Sequence, residues 1–393
     1  MTTFATFPAL IPVILPAWQL TNSEAGLISG IFFGGYMAAV PVLSSLTDRM
    51  DARRVYVFSC GLGAVGSLGF AFFANGVLSA IVCHALVGAG LAGTYMPGLK
   101  LLSDVTEDGA RRSRYVAFYT STFGIGMSVS LATVGIVEPA FGWHAAFMVS
   151  AFGPLAAAVL VWFTVPPSKV LAHPQAPKHL LDFRPVFRNR AATGYIVGYA
   201  AHCYELFGMR SWLVAFLAFS AALQPADRPL PWGPAWIVAA ITPLGILSSI
   251  TGSEIATRYR RRNVIVTAMG LSAATACIVG FLAPLPWFVV VFAITIYTVL
   301  IMGDSAALTN GVIAEASAYV RGATMAIYSF LGFGAGMIAP LVFGAVLDLA
   351  GGNTSLVAWG FAFASLGIGC ALGPIAVLLS AHRSEKPAVG GVQ

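Results

Sequence analysis

Long apolar runs alternate with short polar breaks along the 393 residues. The runs fall near 2–17, 24–47, 55–74, 77–103, 115–138, 145–166, 191–218, 233–256, 264–283, 286–314, 322–348 and 355–380. Most are about 20 residues long, the length a helix needs to cross a hydrocarbon core about 30 Å thick. The short alternating pattern of a membrane barrel strand is absent, so the pattern predicts an all-α membrane protein with twelve transmembrane helices. The first run carries Pro8, Pro12 and Pro16, and has neither a basic flank nor an A-x-A-like cleavage site. It is read as a first helix that the start codon cuts short, and not as a secretory signal.

Composition agrees: 58% of residues are hydrophobic and 9% charged, with a mean hydropathy of +0.84. A soluble domain carries about 25% charged residues, so that class is excluded. The net charge of +6 is no nucleic-acid signature, because the basic residues sit in loops. Of the 21 lysines and arginines, 18 fall in the loops after even-numbered runs or in the C-terminal tail; the opposite loops hold only Arg228. Basic loops stay on the cytoplasmic side, so both termini are expected there, in what reads as a bacterial inner membrane. The five cysteines stand singly in apolar runs, with no spacing for a metal, a haem or a disulfide framework, and no cofactor is expected.

The longest polar stretch divides the chain into an N-terminal six-helix bundle (1–166), a central cytoplasmic loop (167–190), a C-terminal six-helix bundle (191–380) and a tail (381–393). Within the loop, Lys178 to Arg184 mixes apolar and basic residues, which suits either a headgroup-lying segment or a solvated loop. Basic loops recur in the two halves at an offset of 207–208 residues, and Tyr119 to Gly126 in the fifth run is echoed by Tyr328 to Gly334 in the eleventh. Repeated halves with a site near midplane are a common plan for secondary transporters.

The loop after the second run reads Ser44-Ser45-Leu46-Thr47-Asp48-Arg49-Met50-Asp51-Ala52-Arg53-Arg54, and helix 4 carries His84-x-x-x-Gly88-x-Gly90. On these motifs the chain resembles the major facilitator superfamily. Asp48, Arg49 and Arg53 match its G-x-L-A-D-R-x-G-R-R signature; Ser44 and Asp51 stand where that signature has glycines, and His84 where arginine is usual. Gly252 to Arg262 is similar to a degenerate second copy. The resemblance implies two pseudo-symmetric bundles, transport by alternating access, and a cytoplasmic gate of charged helix ends drawn from Asp48, Arg49, Arg53, Lys100, Glu254 and Arg258. Lys100 has snorkelling toward the headgroups as its other reading. The proline signature of drug/proton antiporters is missing from the fifth run.

Two G-x-G-x-x-G matches, at Gly61 to Gly66 and Gly88 to Gly93, lie inside membrane spans, where small residues serve helix packing rather than dinucleotide binding. No H-E-x-x-H or G-x-S-x-G is present, and an enzyme is not expected.

Ionisable groups deep in apolar runs are functional by default. Glu205, near the middle of the seventh run, is the first choice for a working carboxylate, with His202 three residues earlier on the same helical face. Arg210 is open to three roles: pairing with an acid on another helix, contact with substrate, or snorkelling. Asp304 is a second carboxylate near midplane, either for proton exchange or as a neutralising partner for Lys100. His84 titrates near neutrality and joins the coupling candidates. Tyr36, Tyr95, Tyr119 and Tyr328 offer hydroxyls and ring faces to a ligand, or simply pack. The expected function is secondary active transport of a small organic solute, leaning to an organic anion and coupled to protons. Efflux of amphipathic toxic compounds and a non-transporting sensor on the same scaffold are the rivals. The partners are then a small molecule, protons and the bilayer, with no nucleic acid and no required oligomer.

Overall fold

The structure is a computed structural model describing residues 1–47, 49–104, 109–167, 184–317 and 320–380. Asp48, residues 168–183 of the central loop, the tail from 381 and the Lys100 side chain lie outside the described residues. Every regular element among the described residues is helical: α1 (Thr6–Ala17), α2 (Asn22–Leu46), α3 (Ala52–Phe73), α4 (Val77–Asp104), α5 (Gly109–Thr164), α6 (Arg184–Arg188), α7 (Arg190–Ala222), α8 (Pro234–Arg258), α9 (Arg261–Val279), α10 (Trp287–Met302), α11 (Ser305–Glu315), α12 (Arg321–Leu349) and α13 (Leu356–Leu379).

These make the twelve predicted spans, with three differences. The first helix runs over 12 residues from Thr6, about 18 Å at 1.5 Å per residue, and is shorter than the expected 2–17. The fifth and sixth spans run on as α5, parted only where Gly142 takes a φ of 80° that residues with a side chain rarely adopt. The tenth span is not one helix: it breaks at Gly303 and Asp304, between α10 and α11.

Helix starts follow their local sequence. Thr21 and Glu24 close a capping box on α2, and Asp51, Asn189 and Ser355 each accept a backbone N–H at the head of α3, α7 and α13. The two six-span halves meet along α2 with α12, α5 with α8, and α1 with α7. Along the first seam the backbones nearly touch: a Cβ on Gly26 would run into the carbonyl of Pro340, and one on Gly30 into that of Met337. Where α5 meets α8, Ser128 donates a 2.5 Å hydrogen bond to the Ala239 carbonyl.

One end of the α2–α12 seam carries a charged clasp, on the face remote from the arginine loops. Asp348, in the last turn of α12, accepts from the backbone N–H groups of Asn22 and Ser23 (3.0 and 2.8 Å), from Asn22 Nδ2 (2.7 Å) and from Ser23 Oγ (2.5 Å). A carboxylate at the head of α2 also meets the positive end of that helix. Hydrogen bonds to a charged group contribute about 1.5–3 kcal/mol when buried and less when partly wetted. Removing the clasp with Asp348→Ala is expected to favour opening of this face by about 1.5 kcal/mol, roughly tenfold. Spin labels at Ala17→Cys and Leu349→Cys in a cysteine-free background read the opening as a longer-distance population; an unchanged distribution would show the clasp to be idle.

Candidate functional site

α7 runs through the middle of the C-terminal half and is buried around most of its circumference, packed by α8, α10, α11, α12 and α13 of its own half and by α1 of the other. Burial on all sides explains why its apolar residues show no preferred face. On this helix His202 and Glu205 lie three residues apart, and both are buried.

Each faces a different partner. His202 Nδ1 stands 2.8 Å from Asp304 Oδ1, and both side chains are at most 2% exposed. The approach is an ion-pair distance without the alignment of a good hydrogen bond, since neither atom finds one. Glu205 Oε2 accepts from Ser272 Oγ of α9 at 2.8 Å, while Glu205 Oε1 is buried without a partner. Ser272 Oγ also donates toward the Met269 carbonyl (3.1 Å) and lies 3.7 Å from Cys370 Sγ of α13. The Tyr297 hydroxyl of α10 is buried and unpaired. Four helices of one half thus converge on two carboxyls and an imidazole.

Asp304 reaches this cluster because the helix breaks under it. The Gly303 N–H bonds the Leu300 carbonyl in a tight turn, which leaves the Val299 carbonyl without its usual helical donor. Ser248 of α8 supplies one at 2.5 Å. A hydroxyl from a neighbouring helix is one means by which a broken membrane helix keeps its backbone satisfied. Gly252 of α8 packs on the Gly303 carbonyl so closely that a Cβ there would overlap it. Discontinuous helices at midplane are where transporters often place ligand and ion sites.

The other expected residues are distributed differently. Among the described residues no carboxylate lies within 4 Å of Arg210; its Nη2 contacts only Met302 Sδ, at 3.7 Å. Asp304 therefore does not neutralise Arg210; the partner described for it is His202, and Lys100, its other expected partner, has its side chain outside the described residues. His84 sits in the other half, its Nδ1 donating to the Ile28 carbonyl at 2.6 Å, among the rings of Phe7, Phe32 and Phe70. Tyr119 donates to the Thr94 carbonyl at 2.8 Å and stacks with Tyr95. Tyr328 bonds Thr309 Oγ1 at 2.6 Å and stacks on Tyr199 with centroids 3.8 Å apart. Tyr36 is buried against Phe333 with its hydroxyl unpaired. Only Tyr36 of the four has a free buried hydroxyl.

The expected gate residues do not form one network among the described residues. Arg49, Glu254 and Arg258 are exposed and carry no ion pair there. Arg53 instead binds within its own half: Nη1 donates to the carbonyls of Trp162 and Val165 (3.3 and 3.2 Å), its guanidinium lies 4.6 Å over the Trp162 ring, and Nε is 3.6 Å from Asp51. Arg262 does the same in the second half, donating to the Leu378 carbonyl at 3.0 Å. Each half thus ties the start of its third span to the end of its sixth through one arginine. Arg262 was not singled out by sequence; the half-to-half offset from Arg53 leads to its neighbour Arg261.

Two halves of six spans, crossing helices long enough for a bilayer, and a buried ionisable cluster at a broken helix together describe a carrier scaffold. The sequence profile of the Major Facilitator Superfamily matches residues 1–340. The chain belongs to this superfamily. Protein spinster homolog 3 of Danio rerio is 25% identical over 276 residues, 66% of this chain and 55% of that one. The 4-hydroxybenzoate transporter PcaK of Acinetobacter baylyi is 26% identical over 159 residues, 40% of this chain and 34% of that one. The chain thus spans about half, or less, of these relatives' length. Among solved structures, the nucleoside transporter NupG superposes with a TM-score of 0.73 at 16% identity, over 96% of this chain and 97% of that one. At that identity the likeness concerns the fold.

Proposed function

We propose that this superfamily member is a proton-coupled carrier that moves a small organic anion across a bacterial cytoplasmic membrane by alternating access. The observation that carries the reading is the cluster of His202, Glu205 and Asp304 at the break between α10 and α11. A charge in such a place is costly while the surroundings are dry and far less so once water enters. A carboxyl wetted from one side and then the other can therefore pick up a proton on one face and release it on the other. Glu205 is the proton carrier in this scheme. The His202–Asp304 pair adjusts its field from one helical turn away. An organic anion is favoured by the unpaired Arg210 and by the relative named for 4-hydroxybenzoate.

The rocking units are taken as 1–166 and 191–380, joined by 167–190, with both termini cytoplasmic as the arginine distribution demands. A single chain suffices, and no catalytic step is assigned. The test is uptake into proteoliposomes of the purified chain under an imposed pH gradient. Accumulation of small carboxylates that collapses with a protonophore is expected; uptake indifferent to the gradient would remove the coupling.

A further inference from the structure

The carboxyl of Glu205 has two oxygens and one aligned donor. Ser272 Oγ shares its single proton between Oε2 and the Met269 carbonyl, and the Cys370 thiol donates toward that same carbonyl at 3.7 Å. Oε1 is left as a buried acceptor without a donor. On α10 the Tyr297 hydroxyl is a buried donor without an acceptor, and it stands close enough to the Glu205 carboxyl to interact with it, short of an aligned hydrogen bond. Glu205 is 1% exposed and Tyr297 0%, so bulk water serves neither. A buried polar group left unsatisfied calls for an explanation, and here two complementary ones face each other.

We infer that Tyr297 is the positioning residue for the coupling proton: its hydroxyl donates to Glu205 Oε1 when the carboxyl is ionised, which lets Glu205 release a proton while the site is dry. The inference deepens the carrier reading above and rests on its choice of Glu205 as the proton carrier. The reason lies in the number of protons. With Glu205 ionised, the one phenolic proton lies between Oη and Oε1, and both atoms are satisfied. With Glu205 protonated, two protons compete for the same two oxygens. The acid donates to Oη, and the phenolic proton needs another acceptor; among the described residues none bonds it. The pair is therefore complete only in the ionised state. A hydrogen bond to a charged acceptor in a low-dielectric interior also contributes more than one between neutral groups.

The surroundings fit this role. The Tyr297 ring packs edge-on against Phe363 of α13, with centroids 6.3 Å apart and planes at 68°, which fixes the direction of its hydroxyl. The titratable groups facing Glu205 from other helices are Tyr297, Cys370 and, from the break, Asp304, which is engaged with His202 one turn along α7. Cys277 of α9 acts on Tyr297 rather than on Glu205. On α7 itself Cys203, Tyr204 and Arg210 contact Tyr199, Ser365 and Met302 instead. The other helices against α7 carry ionisable residues only near their ends, Glu254 and Arg258 of α8, Glu315 of α11, Arg321 and Asp348 of α12, apart from Tyr328, which bonds Thr309. No fixed cation is thus at hand to hold the Glu205 charge, and a neutral donor must do so.

The test reads Glu205 directly, by infrared difference spectroscopy on the purified full chain in phosphatidylcholine vesicles, with no solute added and the pH stepped from acid to alkaline. The protonated-carboxyl C=O band that is missing from Glu205→Gln reports its proton. Tyr297→Phe removes the hydroxyl and leaves the ring against Phe363. Its band is expected to persist to higher pH, with the midpoint moved up by about one unit, tenfold in proton affinity. A tyrosine with one ring fluorine beside its hydroxyl, placed at position 297, is a stronger donor, and with it the midpoint is expected to move down. A change in packing alone does not produce opposite shifts. If Tyr297→Phe does not fold, the fluorinated chain is the one read. An unmoved midpoint, shifts of the same sign, or no band that depends on Glu205 would overturn the inference. The proteoliposome assay separates this outcome from the carrier reading. Uptake indifferent to the pH gradient, with a midpoint that follows Tyr297, would remove proton coupling and leave the pairing; gradient-driven accumulation with an unmoved midpoint would do the reverse.

Discussion

Glu205→Gln is expected to abolish gradient-driven accumulation while leaving exchange of solute across the membrane intact. One proton moving with one monovalent anion is electroneutral, so only the pH difference drives it, at about 1.4 kcal/mol or tenfold per unit. With two units imposed, the wild-type chain is expected to concentrate solute about a hundredfold on the alkaline side, and the variant not at all. Glutamine keeps the side-chain volume and can still accept from Ser272 Oγ, as Glu205 does in this structure. The difference therefore isolates the titratable proton from the packing. Counterflow, in which labelled solute enters against unlabelled solute with no gradient, should survive. Full accumulation in Glu205→Gln would move the proton to Asp304 or His202, and loss of both activities would make Glu205 a binding residue. Ser272→Ala should have a much smaller effect, because it removes a neutral donor from a carboxyl that keeps its burial.

The features that were legible in the sequence are those that hydropathy and charge register directly. Twelve apolar runs give twelve spans, and ionisable residues stand out in them: Glu205, His202 and Asp304 were selected on that ground and the fold brings them to one place. Their pairing was not legible, because His202 and Asp304 are about a hundred residues apart and nothing in the spacing distinguishes His202 from Lys100 as partner. The break in the tenth span escaped because a hydropathy run does not register backbone geometry. Gly303-Asp304 is a turn-forming pair inside an apolar run, and that local signal would have found it. Ser272 was invisible among the alanines and threonines of α9, where a hydroxyl is ordinary. The contacts of the basic loops escaped for a different reason. The signature loop identifies which arginines matter in relatives, while the contacts made by Arg53 and Arg262 are with backbone carbonyls, which no sequence motif displays.

His202→Ala and Asp304→Asn should each destabilise the folded chain by roughly 3 kcal/mol, since breaking a buried pair leaves its other member dry and unsatisfied. His202→Ala strips the carboxyl of its close partner, and Asp304→Asn replaces the acceptor facing Nδ1 with a neutral amide. The double variant removes both halves of the problem, so it is expected to lose less than the two single changes together, with a coupling of 1–3 kcal/mol. Thermal inactivation in detergent, read by loss of the monodisperse species, gives the order: each single variant well below wild type, the double variant above the sum. The cycle separates two origins for the broken helix. If the pair holds the α10–α11 break in place, Asp304→Asn should also alter the affinity for the transported anion, because Arg210 touches Met302 two residues before it. If Gly303 and the Ser248–Val299 hydrogen bond hold the break by themselves, stability falls while anion affinity stays where it was. Additive single effects would mean that the 2.8 Å approach carries no interaction energy. The coupling role would then rest on Glu205 alone.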